Sequence, residues 1–160
     1  MEKFDVAVIG AGPGGYETAI RCAQLGLTCV CIDQWIGHDG KPSLGGTYLN
    51  VGCIPSKALL DTSEHYNRIQ HELHDHGISV TGTSIDLGVM QKRKDSVVTA
   101  LTKGIETLFR KNKLEWKQGH GKFLSNNRIE VSGHNGQREE LEAAHIVIST
   151  GSIPAHHPKI

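Results

Sequence analysis

Phe4-Asp5-Val6-Ala7-Val8-Ile9-Gly10-Ala11-Gly12-Pro13-Gly14-Gly15 decides the fold: a short apolar run stops on a G-x-G-x-x-G signature. Tyr16 to Leu25 follows with helical composition and no breaker, which predicts strand, tight turn and helix in that order. Gly26 ends the helix, and Leu27-Thr28-Cys29-Val30-Cys31-Ile32 is a second β-prone run that stops at Asp33. This is a βαβ unit of about 30 residues, and it puts the chain in the α/β class.

The glycines have separate tasks in such a turn. Gly10 permits the tight bend, Gly12 lets backbone approach a pyrophosphate, and Gly15 allows close helix packing, with Gly14 between them. The helix N-terminus then offers N–H donors and the positive end of its dipole to phosphate. Asp33 ends the second strand, where an acidic side chain accepts hydrogen bonds from a ribose 2′-hydroxyl. A Rossmann-like dinucleotide site is expected, and the spacing suits FAD and NAD equally.

The 160 residues suffice for one domain, 1–160, able to bury roughly 70% of its unfolded surface. Lys plus Arg (17) balances Asp plus Glu (17), so charge offers nothing to nucleic acid or an anionic membrane. No segment approaches the roughly 18 apolar residues of a membrane span, and the acidic start argues against a secretory signal. Cys22, Cys29, Cys31 and Cys53 have neither metal-ligand nor disulfide-scaffold spacing, so no metal is expected and a cytoplasmic location is. Cys22, Cys29 and Cys31 suit the role of small buried hydrophobes.

Gln34 to Gly46 is expected to be an irregular loop without core, and a helix should begin after Cys53 with Pro55 in its first turn. Asp86 is a candidate cap for a long helix with Val89, Met90, Val97, Leu101, Ile105, Leu108 and Phe109 on one stripe. Short strands are then predicted at 114–117, 121–124, 128–131 and 139–143, making a small antiparallel meander beside the parallel sheet, with an apolar strand at 145–149. His71, His74 and Asp75 fall at helical spacing and fit a solvated face; His156 and His157 fit exposed chain.

The segment Gly45-Gly46-Thr47-Tyr48-Leu49-Asn50-Val51-Gly52-Cys53-Ile54-Pro55-Ser56-Lys57 resembles the redox loop of the dihydrolipoamide dehydrogenase group of pyridine nucleotide-disulfide oxidoreductases. Twelve of its thirteen residues match that loop, and Tyr48 stands where the first of two redox cysteines belongs. The resemblance implies FAD at the N-terminal fingerprint, Gly46 and Thr47 towards the cofactor's phosphates, and the Lys57 ammonium near the flavin N5 edge. It implies Cys53 as the sulfur facing the flavin, at a helix N-terminus that favours a thiolate. A phenol at Tyr48 cannot form a disulfide, so exchange with a dithiol is expected to be lost or severely reduced.

Gly119-His120-Gly121-Lys122 is similar to the family strand whose glycine, here Gly121, lies by the adenine. Ile148-Ser149-Thr150-Gly151-Ser152-Ile153-Pro154 is similar to the turn closing the flavin site through Thr150, Gly151 and Ser152, with Ser149 in place of alanine. The family also implies NAD at a second fingerprint, a lipoyl-bearing protein as partner and a homodimer through a further domain; none of these extra parts is visible in 160 residues. Two alternatives follow from Tyr48: a flavin-binding chain without turnover, or a single-cysteine protein reacting with peroxide through Cys53.

Overall fold

A computed structural model describes residues 1–153 and 155; Pro154, His156 and His157 lie outside the described residues. In chain order the elements are β1 (Glu2–Ile9), α1 (Pro13–Gln24), β2 (Cys29–Asp33), α2 (Gly46–Asn50) and α3 (Cys53–His71). A short 3-10 turn (Leu73–His76), α4 (Leu87–Lys111), β3 (Glu115–Phe123), β4 (Arg128–Gly133) and β5 (Arg138–Ile148) follow. The α/β class and the opening βαβ unit are as the sequence predicts.

Four strands run parallel in the order β3-β2-β1-β5. Two of them outlast that sheet. β3 pairs with β2 through Gln118 and from Gly119 onward pairs antiparallel with β4, while β5 pairs with β4 through Arg138–Glu142 and with β1 through Leu141–Ile148. The hydrogen bonding therefore closes into a five-stranded ring. The separately predicted strands 114–117 and 121–124 are one strand, as are 139–143 and 145–149; the change of partner within each strand looks like a break in the sequence.

Inside the ring pack Ala7, Ile9, Val30, Ile32, Ile129, Val131, Leu141 and Ala143. The opposite face of the sheet turns Val6, Val8, Cys29 and Cys31 towards Ala19 of α1 and Ile105 and Phe109 of α4. The inward phase slips between Phe4 and Ala7 because the Asp5 and Val6 N–H groups both donate to the Thr28 carbonyl, at 3.0 and 3.1 Å, as in a bulge. At one rim Lys117 Nζ meets Glu2 (2.7 Å), Glu115 (2.7 Å) and Glu139 (3.1 Å), tying β1, β3 and β5. Burial opposes that ammonium, and the hydrogen bonds to Glu115, Glu2 and Glu139 outweigh it, leaving the Lys117 pKa raised.

Asp86 caps α4 as predicted, its Oδ1 accepting the Val89 N–H at 3.0 Å, a contact worth about 1 kcal/mol. The buried ridge differs from the expected stripe: it is Val98, Thr102, Ile105 and Phe109, while Val89, Leu101 and Leu108 are exposed. Thr102 satisfies its hydroxyl on the Thr99 carbonyl at 3.2 Å, so a polar residue enters the ridge at low cost. The 34–46 segment also differs from expectation, because Leu44 is fully buried in the core between sheet and helices.

Asp5 fastens the start of the βαβ unit. Its Oδ2 accepts from the Thr28 hydroxyl and N–H, both at 2.7 Å, and these bonds, the side-chain one first, hold its carboxyl below the ordinary 3.8. A depressed carboxyl adds stability in full above 3.8 and loses it as pH falls through the lower folded value. Melting temperatures of wild type and Asp5→Asn are therefore expected to differ near neutrality and to converge in acid below 3.8. A constant gap across that range would refute the assignment.

Candidate functional site

The C-terminal ends of the parallel strands open into a cleft of about 640 Å³. Its lining includes Gly10, Gly12, Asp33, Gly46, Thr47, Gly121, Thr150, Gly151 and Ser152, nine of the residues singled out from sequence. Such a crevice beyond the carboxyl ends of strands is where open α/β sheets take ligands. A second cavity, of about 690 Å³ and lined by Trp116, Lys117, Arg138 and Glu139 among others, contains none of those residues.

Close backbone approach shapes the turn. Gly10 has φ +99°, and a Cβ there would lie 2.2 Å from the Ser149 carbonyl oxygen. A Cβ on Gly15 would lie 1.7 Å from the Gly10 carbonyl oxygen, so α1 sits against the turn with no room for a methyl group. Gly12, by contrast, has open space where its Cβ would be. Gly14 is exposed and Gly15 buried; neither lines the cleft, because their part is to shape the helix start that does.

Asp33 braces this turn from β2. Its Oδ2 accepts the Ala11 N–H at 2.5 Å and its Oδ1 the Trp35 N–H at 2.8 Å. A carboxylate has about four acceptor positions, so two remain for a hydroxylated ligand. Trp35 lines the same cleft, and its buried Nε1 has no partner among the described residues. Gly119, His120 and Gln34 complete that flank.

The 45–57 segment is two short helical pieces, not a simple loop. α2 begins after Gly45, whose N–H donates to the Ala11 carbonyl at 2.9 Å, and Gly46 lies against Gly12. Leu49 is buried beneath α2, and Asn50 Nδ2 donates to the Leu44 (3.1 Å) and Gly46 (2.9 Å) carbonyls. Thr47 and Tyr48 face the cleft from this anchored piece. The Thr47 carbonyl accepts the N–H groups of Val51 (3.1 Å) and Gly52 (2.7 Å), turning the chain into α3.

Cys53 is the first residue of α3, Pro55 is buried in that first turn as predicted, and Lys57 follows one turn on. Cys53 and Lys57 are exposed and do not line the cleft, so the structure does not bring them together with the other nine. Cys29 and Cys31 are buried; burial pushes the Cys29 thiol up to about 12 and raises Cys31 further. Cys22 is half-buried against the same core. His71 ends α3, and His74 and Asp75 pair with each other at 2.8 Å on an exposed turn.

Ile9, Pro13, Ile32, Gln34, Trp35 and Ile153 line the cleft without having been given a site role from sequence. Most are immediate neighbours of motif residues, and that adjacency was the available signal.

Fold and site together define a Rossmann-like α/β domain whose cleft is built on a G-x-G-x-x-G turn. A family model described as pyridine nucleotide-disulphide oxidoreductase matches residues 4–160, and the chain belongs to that family. It is 48% identical to a dihydrolipoyl dehydrogenase of Cupriavidus necator over 99% of this chain and 34% of that protein. It is 47% identical to the mitochondrial dihydrolipoyl dehydrogenase of Pisum sativum, over 94% of this chain and 29% of that protein. For dihydrolipoyl dehydrogenase 3 of Pseudomonas putida the identity is 48%, over 100% and 33%. The chain thus spans about a third of the length of these curated relatives, and the resemblance seen in the redox loop extends along it. Among the described residues no helix is long and apolar enough to cross a membrane.

Proposed function

We propose that this chain, as one domain over residues 1–160, is the FAD-binding portion of a dihydrolipoamide dehydrogenase-type oxidoreductase. The observation that carries it is the convergence of nine sequence-chosen residues on one cleft. Gly10 and Gly12, at the first turn of α1, bring backbone to a pyrophosphate with no Cβ in the way. Asp33 accepts from a ribose 2′-hydroxyl, and Gly121 keeps the floor low between Ile9 and Ile32. Gly46 and Thr47 border the phosphates, and Thr150, Gly151 and Ser152 close the cleft. FAD, when bound, supplies two-electron transfer between a dithiol and NAD.

Around that cofactor the chain's own residues bind and orient. Cys53 brings a sulfur from the start of α3 and Lys57 positive charge one turn on, while Tyr48 occupies the position of the family's first redox cysteine. The partner in this reading is a lipoyl-bearing protein, the assembly a homodimer and the location cytoplasmic. Purified chain mixed with FAD is expected to retain a yellow chromophore absorbing at about 450 nm after gel filtration. A chain that stays colourless removes the flavin assignment.

A further inference from the structure

Two aromatic side chains outside the nucleotide motif line the cleft: Trp35, beside Asp33 at the end of β2, and Tyr48, on α2. Asp33 and the first turn of α1, with Gly46 and Thr47, take one ribose and the phosphates of a bound dinucleotide, so its other half is left with Tyr48 and residues 149–153. Tyr48 is the only aromatic residue in that group. Its backbone is fixed, because α2 is held by buried Leu49 and by the two Asn50 bonds to the Leu44 and Gly46 carbonyls. The Tyr16 hydroxyl of α1 is pushed up by burial, then by Glu17 and Tyr48.

Resting on the FAD reading, we propose that Tyr48 is a ring-binding positioning residue: its phenol is the wall against which the flavin ring lies. An offset aromatic contact adds affinity beyond burial, and a phenol is an electron-rich neighbour for an electron-poor ring. Light excitation then moves one electron from the Tyr48 phenol to the excited ring and back again, with no net oxidation and shortened emission. The substitution at position 48 thereby exchanges a redox partner for a binding contact.

The test uses the whole chain, with FAD and ADP as calorimetric probes and the emission lifetime of bound FAD as a second readout. Tyr48→Ala is expected to weaken FAD about 5- to 10-fold and leave ADP unchanged, since ADP reaches only the Asp33 half. Tyr48→Phe is expected to keep FAD affinity within about twofold and to lengthen the lifetime, because a benzene ring is a far poorer electron donor. Unchanged FAD affinity in the alanine variant, or equal weakening of FAD and ADP, overturns the proposal, as does an unchanged lifetime in the phenylalanine variant. If the alanine variant does not fold, the lifetime decides. Failure of wild type to bind FAD while it binds ADP overturns the parent reading instead.

Discussion

Gly15→Ala is expected to cost about 3 kcal/mol and to abolish tight FAD binding, an effect out of proportion to one methyl group. The added Cβ would lie 1.7 Å from the Gly10 carbonyl oxygen and 2.8 Å from its carbon, both backbone atoms of the turn. Neither can swing aside as a flexible side chain would, so α1 must lift or the turn must open. Opening the turn also disturbs Gly10, which is already pressed against Ser149. For a domain of this size the loss corresponds to about 6–12 °C in melting temperature. Gly104→Ala is the control: it lies in α4 with nothing within 4 Å of the new Cβ, and alanine there is expected to stabilise by about 0.5–1 kcal/mol. Thermal melts of both variants, with FAD retention measured alongside, check the contrast. Equal melting temperatures would refute the packing account.

The same contact explains why this part of the fold was legible in the sequence. A glycine required by a 1.7 Å approach is a local constraint, visible wherever strand, glycines and helix succeed one another. Asp33 was legible for a similar reason, since the end of β2 fixes its place beside the turn. The ring was not legible, because Gly119 and Leu141 sit where β3 and β5 pass from one partner to another, and partners are set by tertiary structure. The expected stripe of α4 and its buried ridge share Ile105 and Phe109 and part at Thr102, because an apolar stripe counts Leu101 and not Thr102; a threonine with its hydroxyl on its own helix is as good a core residue as the site requires. Trp35 carried no motif at all, and only the folded β2 end brings it to the cleft.

Tyr48→Cys is expected to create a disulfide that wild type cannot form. The hydrogen bond from the Gly52 N–H to the Thr47 carbonyl, 2.7 Å, holds those two residues together, so their successors at positions 48 and 53 are expected to come within disulfide reach at the junction of α2 and α3. Oxidation by ferricyanide would remove two electrons and two protons from the pair of thiols and join the sulfurs. Wild type has four cysteines, three of them in or against the core formed by α1 and β2, so Cys53 lacks a partner and four thiols should titrate in denaturant after treatment. The variant has five, of which the new pair takes two, leaving three. Dihydrolipoamide would then reopen the bond by thiolate attack, through a mixed disulfide, and take up the oxidised state. Anaerobic addition of dihydrolipoamide to FAD-loaded protein should accordingly bleach the chromophore faster in Tyr48→Cys than in wild type, where no sulfur pair links dithiol to flavin. Five thiols in the oxidised variant would refute the placement of residue 48 beside Cys53. Equal bleaching in both proteins would refute the separate claim that a missing sulfur limits this chain.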